Sequence, residues 1–145
     1  MGAAALFCLV VAIADGDTLT ARCGDPGAYE QVKVRLAEID APEKAQPFGN
    51  RSRQNLAELC FQQVATIRPT TRDRYGRTVA RVECKGQDAN LQQVRAGMAW
   101  AYTKYLTDPA VAREQDGARA ARVGLWGDKA PLPPWDWRQL RTKGN

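Results

Sequence analysis

In residues 31–37, QVKVRLA, the apolar Val32, Val34 and Leu36 fall on one side of an alternating pattern and Lys33 and Arg35 on the other. That period of two marks a strand with one buried face. Four more short runs accompany it: the apolar stretch at 6–14, the alternating TLTARC at 18–23, VATIRPT at 64–70 and TVARVEC at 78–84. Asp15-Gly16 separates the first two as a turn, GDPGAYE is a loop, and TRDRYGR joins the last two. Pro42 has no N–H to give to a ladder, so the third strand ends by there.

Helical periodicity interrupts the strands once, from about Asn50 to Gln63, where Leu56, Leu59, Cys60 and Val64 recur three to four apart. A second helix is predicted from about Asp88 to Arg95, ended by Gly97. A third opens on Asp108-Pro109 and runs to about Val123, with Gly124 after it. The tail APLPPWDWRQL is expected to be extended and pinned by Trp135 and Trp137, while Trp100 and Trp126 are expected in the core. The prediction is an α+β chain, mainly β: a five-stranded closed barrel of the OB type with three helices.

The length of 145 residues suits one domain that buries roughly two thirds of its unfolded surface. We expect residues 1–145 to form that single domain, with 1–5 a loose lead-in and 128–145 an extension rich in Pro and Trp. The opening MGAAALFCLVVAIADGD contains Ala12-Ile13-Ala14, which imitates a signal-peptidase site. Cleavage there would discard Cys8, and no basic residue precedes the apolar run, so the run is a strand and any export signal is expected upstream. No stretch reaches the roughly 20 apolar residues of a membrane span.

Charge is unevenly spread over a net of +5: residues 11–50 hold seven acids against four bases, whereas 51–81 hold seven arginines, no lysine, and only Glu58 and Asp73. An acidic pocket beside an arginine-rich surface suits a metal site acting on a polyanion, and arginine's planar fork grips phosphate bidentately. On charge alone, a solvated basic face is equally good. The chain has no histidine, which excludes Ser-His-Asp and Cys-His machinery, two-His zinc sites and a histidine base. Chemistry here must use carboxylates, arginines and an oxygen-ligated metal.

Cys8, Cys23, Cys60 and Cys84 show no CxxC spacing. Four cysteines allow three disulfide connectivities, and four free thiols in a reducing compartment are the alternative. We favour Cys8–Cys23 across the first hairpin and Cys60–Cys84 from helix to strand, each worth on the order of 3 kcal/mol. Disulfides would place the protein in an oxidising compartment, secreted or periplasmic.

Three segments stand in order: DGDT at 15–18, RLAEIDAPE at 35–43 and DRYGR at 73–77, followed by GMAWAY at 97–102 and GLW at 124–126. Together they resemble the staphylococcal nuclease (thermonuclease) family over about residues 7–127. The resemblance implies an OB barrel that cleaves phosphodiester bonds in DNA and RNA with calcium. It implies Asp17 and Asp40 as calcium carboxylates, with the backbone carbonyl of Ala41 as a further ligand. It makes Glu43 the general base and Arg35 and Arg77 the phosphate-binding arginines. Arg74, Tyr75, Tyr102 and Tyr105 become candidates for nucleic-acid contact. The family often has threonine where Ala41 stands, a change that keeps the carbonyl.

Two carboxylates and a carbonyl are few ligands for calcium, which takes six to eight oxygens, so weak binding completed by water and substrate is expected. Glu38 matches no such role and is assigned to a structural hydrogen bond or salt bridge. DNA and RNA are the expected partners, with no membrane or obligate protein partner and a monomeric state. A non-catalytic OB module that binds single strands is the main alternative. A protein whose calcium merely braces a loop is a weaker one. Each motif alone also fits a plain turn, and Tyr102 and Tyr105 fit packing better than base stacking.

Overall fold

The computed structural model describes residues 4–143. Strands β1 (Leu6–Asp15), β2 (Thr18–Cys23) and β3 (Glu30–Leu36) form an antiparallel meander. After a two-residue strand β4 (Ile39–Asp40) and helix α1 (Gly49–Cys60), strands β5 (Val64–Arg72) and β6 (Thr78–Cys84) return as a hairpin. β5 pairs with β1, and β6 pairs in parallel with β3, which closes the five long strands into a barrel. Closure removes the sheet edges that short alternating strands would otherwise leave open. The inward side chains Val10, Leu19, Val34, Leu36, Ile67 and Val82 are all but fully buried.

A two-residue strand β7 (Gln87–Asp88) leads into helix α2 (Ala89–Arg95), whose N-cap Asp88 accepts a hydrogen bond from the N–H of Leu91. A short β8 (Trp100–Ala101) pairs with β4. Helix α3 (Pro109–Ala121) is capped by Asp108 with proline in the first turn, as its sequence predicts. Both disulfides join the expected partners, Cys8–Cys23 and Cys60–Cys84, with Cα atoms 4.6 and 5.3 Å apart.

The tail corrects an expectation. Residues 134–143 are not extended: Pro134–Lys143 forms a fourth helix, α4. Proline breaks helix interiors but is well suited to the first position, where its missing N–H has no partner to lose. The amides of Asp136 and Trp137 both donate to the carbonyl of Pro133, and Asp136 lies in the first turn, where a negative charge complements the helix dipole. Residues 1–3 of the expected lead-in lie outside the described residues.

Candidate active site

The turn after β1 is fixed from beneath. Gln93 on α2 is fully buried and donates to the carbonyl of Gly16 (2.6 Å) and to that of Ser52 on α1 (3.0 Å). A Cβ on residue 16 would lie 1.7 Å from the Ser52 hydroxyl, so only glycine lets the turn approach α1 this closely. Beyond it, the Asp17 carbonyl accepts from the N–H of Leu36 at the end of β3 (2.8 Å). The Asp17 carboxylate accepts from the N–H of Ala41 (2.7 Å) and from the Thr18 hydroxyl (2.9 Å). The turn and the 35–43 segment are thereby locked together.

The β4–β8 pairing, Asp40 opposite Trp100, sets the second carboxylate. Asp40 is 1% exposed and Asp17 is 6% exposed. The Arg35 guanidinium lies between them, 3.4 Å from Asp17 and 3.2 Å from Asp40, and also donates to the carbonyls of Leu36 and Ile39. Glu43 follows on a turn held by Gln46, whose side-chain oxygen accepts from the N–H of Glu43 (3.0 Å).

Two further residues belong here that the sequence did not announce. Arg138 on α4 reaches Asp40 Oδ2 and Glu43 Oε1, each at 2.7 Å. Asp15, read from sequence as a turn residue, lies close enough to Asp17 and Glu43 to feel their charge. Burial, then Asp17 and Glu43, push the Asp15 carboxyl above its ordinary value, against Lys44 and Arg35. Asp40 is also pushed up, by burial first and then by Asp17, against the pull of Arg138 and Arg35. Burial opposes the Arg138 charge, but its pairs with Asp40 and Glu43 hold it protonated.

These oxygens suit a hard cation. Asp17 and Asp40 offer carboxylates, to which the backbone carbonyl of Ala41 would add a further hard oxygen. Among the described residues no group of three or more His, Cys, Asp or Glu side chains is close enough to hold a metal ion by itself. The carbonyl and water would therefore have to complete any shell.

Of the other predicted residues, Tyr102 meets this centre through its hydroxyl, which accepts from Arg138 at 3.4 Å, while Arg74, Tyr75 and Arg77 gather on the loop between β5 and β6. The parallel register sets Arg35 opposite Val79, two residues beyond Arg77, so strand alternation puts both arginines on the same face of the β3–β6 pair. Arg77 pairs with Asp73 at 2.6 Å, while Asp73 Oδ1 takes the amides of Tyr75 and Arg77 to shape the loop. Tyr75 is 70% exposed, with the Arg74 and Arg77 guanidinium groups over its ring at 5.0 and 5.6 Å. Tyr105 is exposed and packs edge-on against Tyr102, whose other neighbour is Trp135, stacked at 5.3 Å and 4°. Trp126 is buried, and the half-buried Trp100 packs against it.

The family model for staphylococcal nuclease homologues matches residues 33–128, the segment that carries Arg35, Asp40, Glu43 and Arg77. The chain belongs to the staphylococcal nuclease family. It is 47% identical over 132 residues to an "Uncharacterized endonuclease" of Haemophilus influenzae, covering 91% of this chain and 72% of that one. An "Uncharacterized endonuclease" of Escherichia coli is 41% identical over 91% of this chain and 84% of its own. The "Micrococcal nuclease" of Shigella flexneri is 40% identical over 90% of this chain and 79% of its own.

In this staphylococcal nuclease family member Arg51, Arg53, Arg68, Arg72 and Arg74 are exposed and Arg77 and Arg81 half-buried, and several of them also have partners within the fold. Arg53 donates to the carbonyl of Ile13, and Arg51 stacks over Phe48. Arg81 pairs with Glu38, Asp88 and Asp108. Glu38 is structural, as expected: its Oε1 accepts from the amides of Thr107 and Asp108 and from the Thr107 hydroxyl. Burial opposes its charge, yet these bonds and Arg81 hold its carboxyl below the ordinary value.

Proposed function

We propose that this chain is a calcium-dependent, sugar-nonspecific nuclease that hydrolyses phosphodiester bonds in DNA and RNA. The observation that carries the reading is the convergence of Asp17 and Asp40 on Arg35, with Glu43 joined to Asp40 through Arg138, in a chain of this family. Asp17, Asp40 and the Ala41 carbonyl would hold the calcium ion, which supplies Lewis acidity toward the phosphate and the attacking water.

Glu43 accepts the proton of that water as its oxygen bonds to phosphorus. The bond from phosphorus to the leaving sugar oxygen breaks, and that oxygen takes a proton from solvent water as it departs, while Glu43 returns its own proton to solvent. Carboxylates are weak bases at neutral pH, so the proton transfer depends on a polarised water. Arg35, held in place by two backbone carbonyls, stabilises the charge that grows on the phosphate oxygens. Arg77 would join it by leaving Asp73, and Arg74, Tyr75, Tyr102 and Tyr105 would flank the strand.

Recognition through phosphate carries no base information and weakens steeply with salt. Two disulfides favour an oxidising, secreted or periplasmic setting. The test is digestion of heat-denatured DNA with millimolar calcium and with EDTA, using Glu43→Gln beside the wild type. Cleavage that EDTA abolishes and Glu43→Gln lowers about 100- to 10,000-fold is expected. Salt-sensitive binding without cleavage would instead indicate a binding module.

A further inference from the structure

Helix α4 lies across the proposed site and meets it at two separate points. Arg138 forms a fork on Asp40, 2.7 Å to Oδ2 and 3.2 Å to Oδ1, and reaches Glu43 at 2.7 Å. Its guanidinium is the counter-ion of one proposed calcium ligand and of the proposed base together. Three residues earlier on the same helix, Trp135 lies parallel to the Tyr102 ring, 4° between planes, and edge-on to Trp100. An aromatic face therefore covers the tyrosine that a base would stack on.

We infer that α4 is a built-in occupant of the active site, with Arg138 in place of the divalent cation and Trp135 in place of a base. It must lift before calcium and substrate can enter. The inference rests on the proposed calcium-dependent nuclease reading and adds a regulation of that same site.

The attachment is suited to release. Beneath α4 lies a cavity of about 190 Å³ lined by Pro42, Pro47, Phe48, Leu132 and Trp137 among others. The Trp137 indole N–H is buried there with no hydrogen-bond partner, an arrangement that works against docking. Gln46 ties the approach to the helix by donating to the carbonyl of Leu132 (2.7 Å) while its oxygen holds the Glu43 amide. The same glutamine thus joins the base turn to the strap. A freed Arg138 would carry its fork to the substrate's phosphates, so that a polyanion and calcium together favour the open form.

The experiment is calorimetric titration of calcium into wild type, Arg138→Gln and Trp135→Ala, each full-length and checked by circular dichroism. Both variants should bind calcium about tenfold or more tightly than wild type. Trp135→Ala changes no charge, so its tightening separates undocking from the plain electrostatic gain of losing a cation. Amide hydrogen exchange over 134–143 in wild type should quicken when calcium is added. Calcium binding of equal or weaker affinity in Trp135→Ala, or unchanged protection of 134–143, overturns the strap and leaves the nuclease reading intact. No calcium binding by any of the three overturns both.

Discussion

Two arginine-centred clusters on this molecule have nearly the same composition and opposite character. Arg81 gathers Glu38, Asp88 and Asp108 at 3.5, 2.7 and 2.9 Å. Arg35 and Arg138 gather Asp17, Asp40 and Glu43 at 2.7–3.4 Å. Around Arg81 each acid also takes backbone amides: Glu38 those of Thr107 and Asp108, Asp88 that of Leu91, and Asp108 that of Ala110. Glu38 and Asp108 are accordingly held below the ordinary carboxylate range. At the other cluster, Asp40 and Asp15 are pushed above it by burial and like charge. Carboxylates anchored by amides secure the fold around Arg81, whereas those of Asp40 and Glu43 are met by arginines, which a cation would replace in the function proposed above.

The largest expected effect lies at the second cluster. Arg35→Lys keeps one charge but loses the fork that spans Asp17, Asp40 and two carbonyls. Nuclease activity on denatured DNA should fall roughly 100- to 1,000-fold, a loss of about 3–4 kcal/mol of transition-state stabilisation. A loss below tenfold would assign Arg35 to structure and erase the contrast between the clusters.

At Arg81 the order reverses. Arg81→Ala leaves three carboxylates facing one another, and the cluster's partial exposure limits the cost to about 2 kcal/mol. Urea unfolding should show that loss, while activity of the folded variant stays within about twofold of wild type. An activity loss as large as that of Arg35→Lys would merge the two clusters into one functional unit.

Much of this was legible along the chain. Alternation in 31–37 and the four companion runs prescribe the barrel, because a side chain in a strand can face only inward or outward. Asp108-Pro109 marks the start of α3 by local chemistry alone, and Asp17, Arg35, Asp40 and Glu43 sit in motifs whose order survives into one site. Arg138 was not legible, since 95 residues separate it from Glu43 and nothing local says where a helix will dock. The prolines at 131, 133 and 134 suggested an extended tail, although the last of them begins α4. Asp15 was obscured because an Asp-Gly turn explains itself; its second role comes from closure, which carries Glu43 toward it.

A smaller effect, about 1 kcal/mol, is expected from Asp108→Ala, which removes the α3 cap and one Arg81 partner. The Ala110 amide and Arg81 lower the folded-state pKa of Asp108, so its stabilising contribution is full above the ordinary carboxylate value. That contribution is lost as pH falls through the lowered folded value. Wild type and Asp108→Ala should therefore differ in urea midpoint at pH 7 and converge toward pH 2. A difference independent of pH would make the effect one of packing.

The smallest and most discriminating change is Asp15→Asn. At neutral pH Asp15 adds a negative charge beside Asp17 and Glu43, which Lys44 and Arg35 offset only in part. Neutralising it should stabilise the protein in EDTA by on the order of 0.5 kcal/mol, since a partly exposed charge is well screened. A domain of this size would show that as about 1–2 °C in Tm. The same substitution should weaken calcium binding, because the repulsion it relieves is what a divalent cation would relieve. Opposite signs in the two measurements are what a crowded, cation-seeking cluster requires. Destabilisation in EDTA would show Asp15 to be satisfied like Asp108 and would place it with the structural acids.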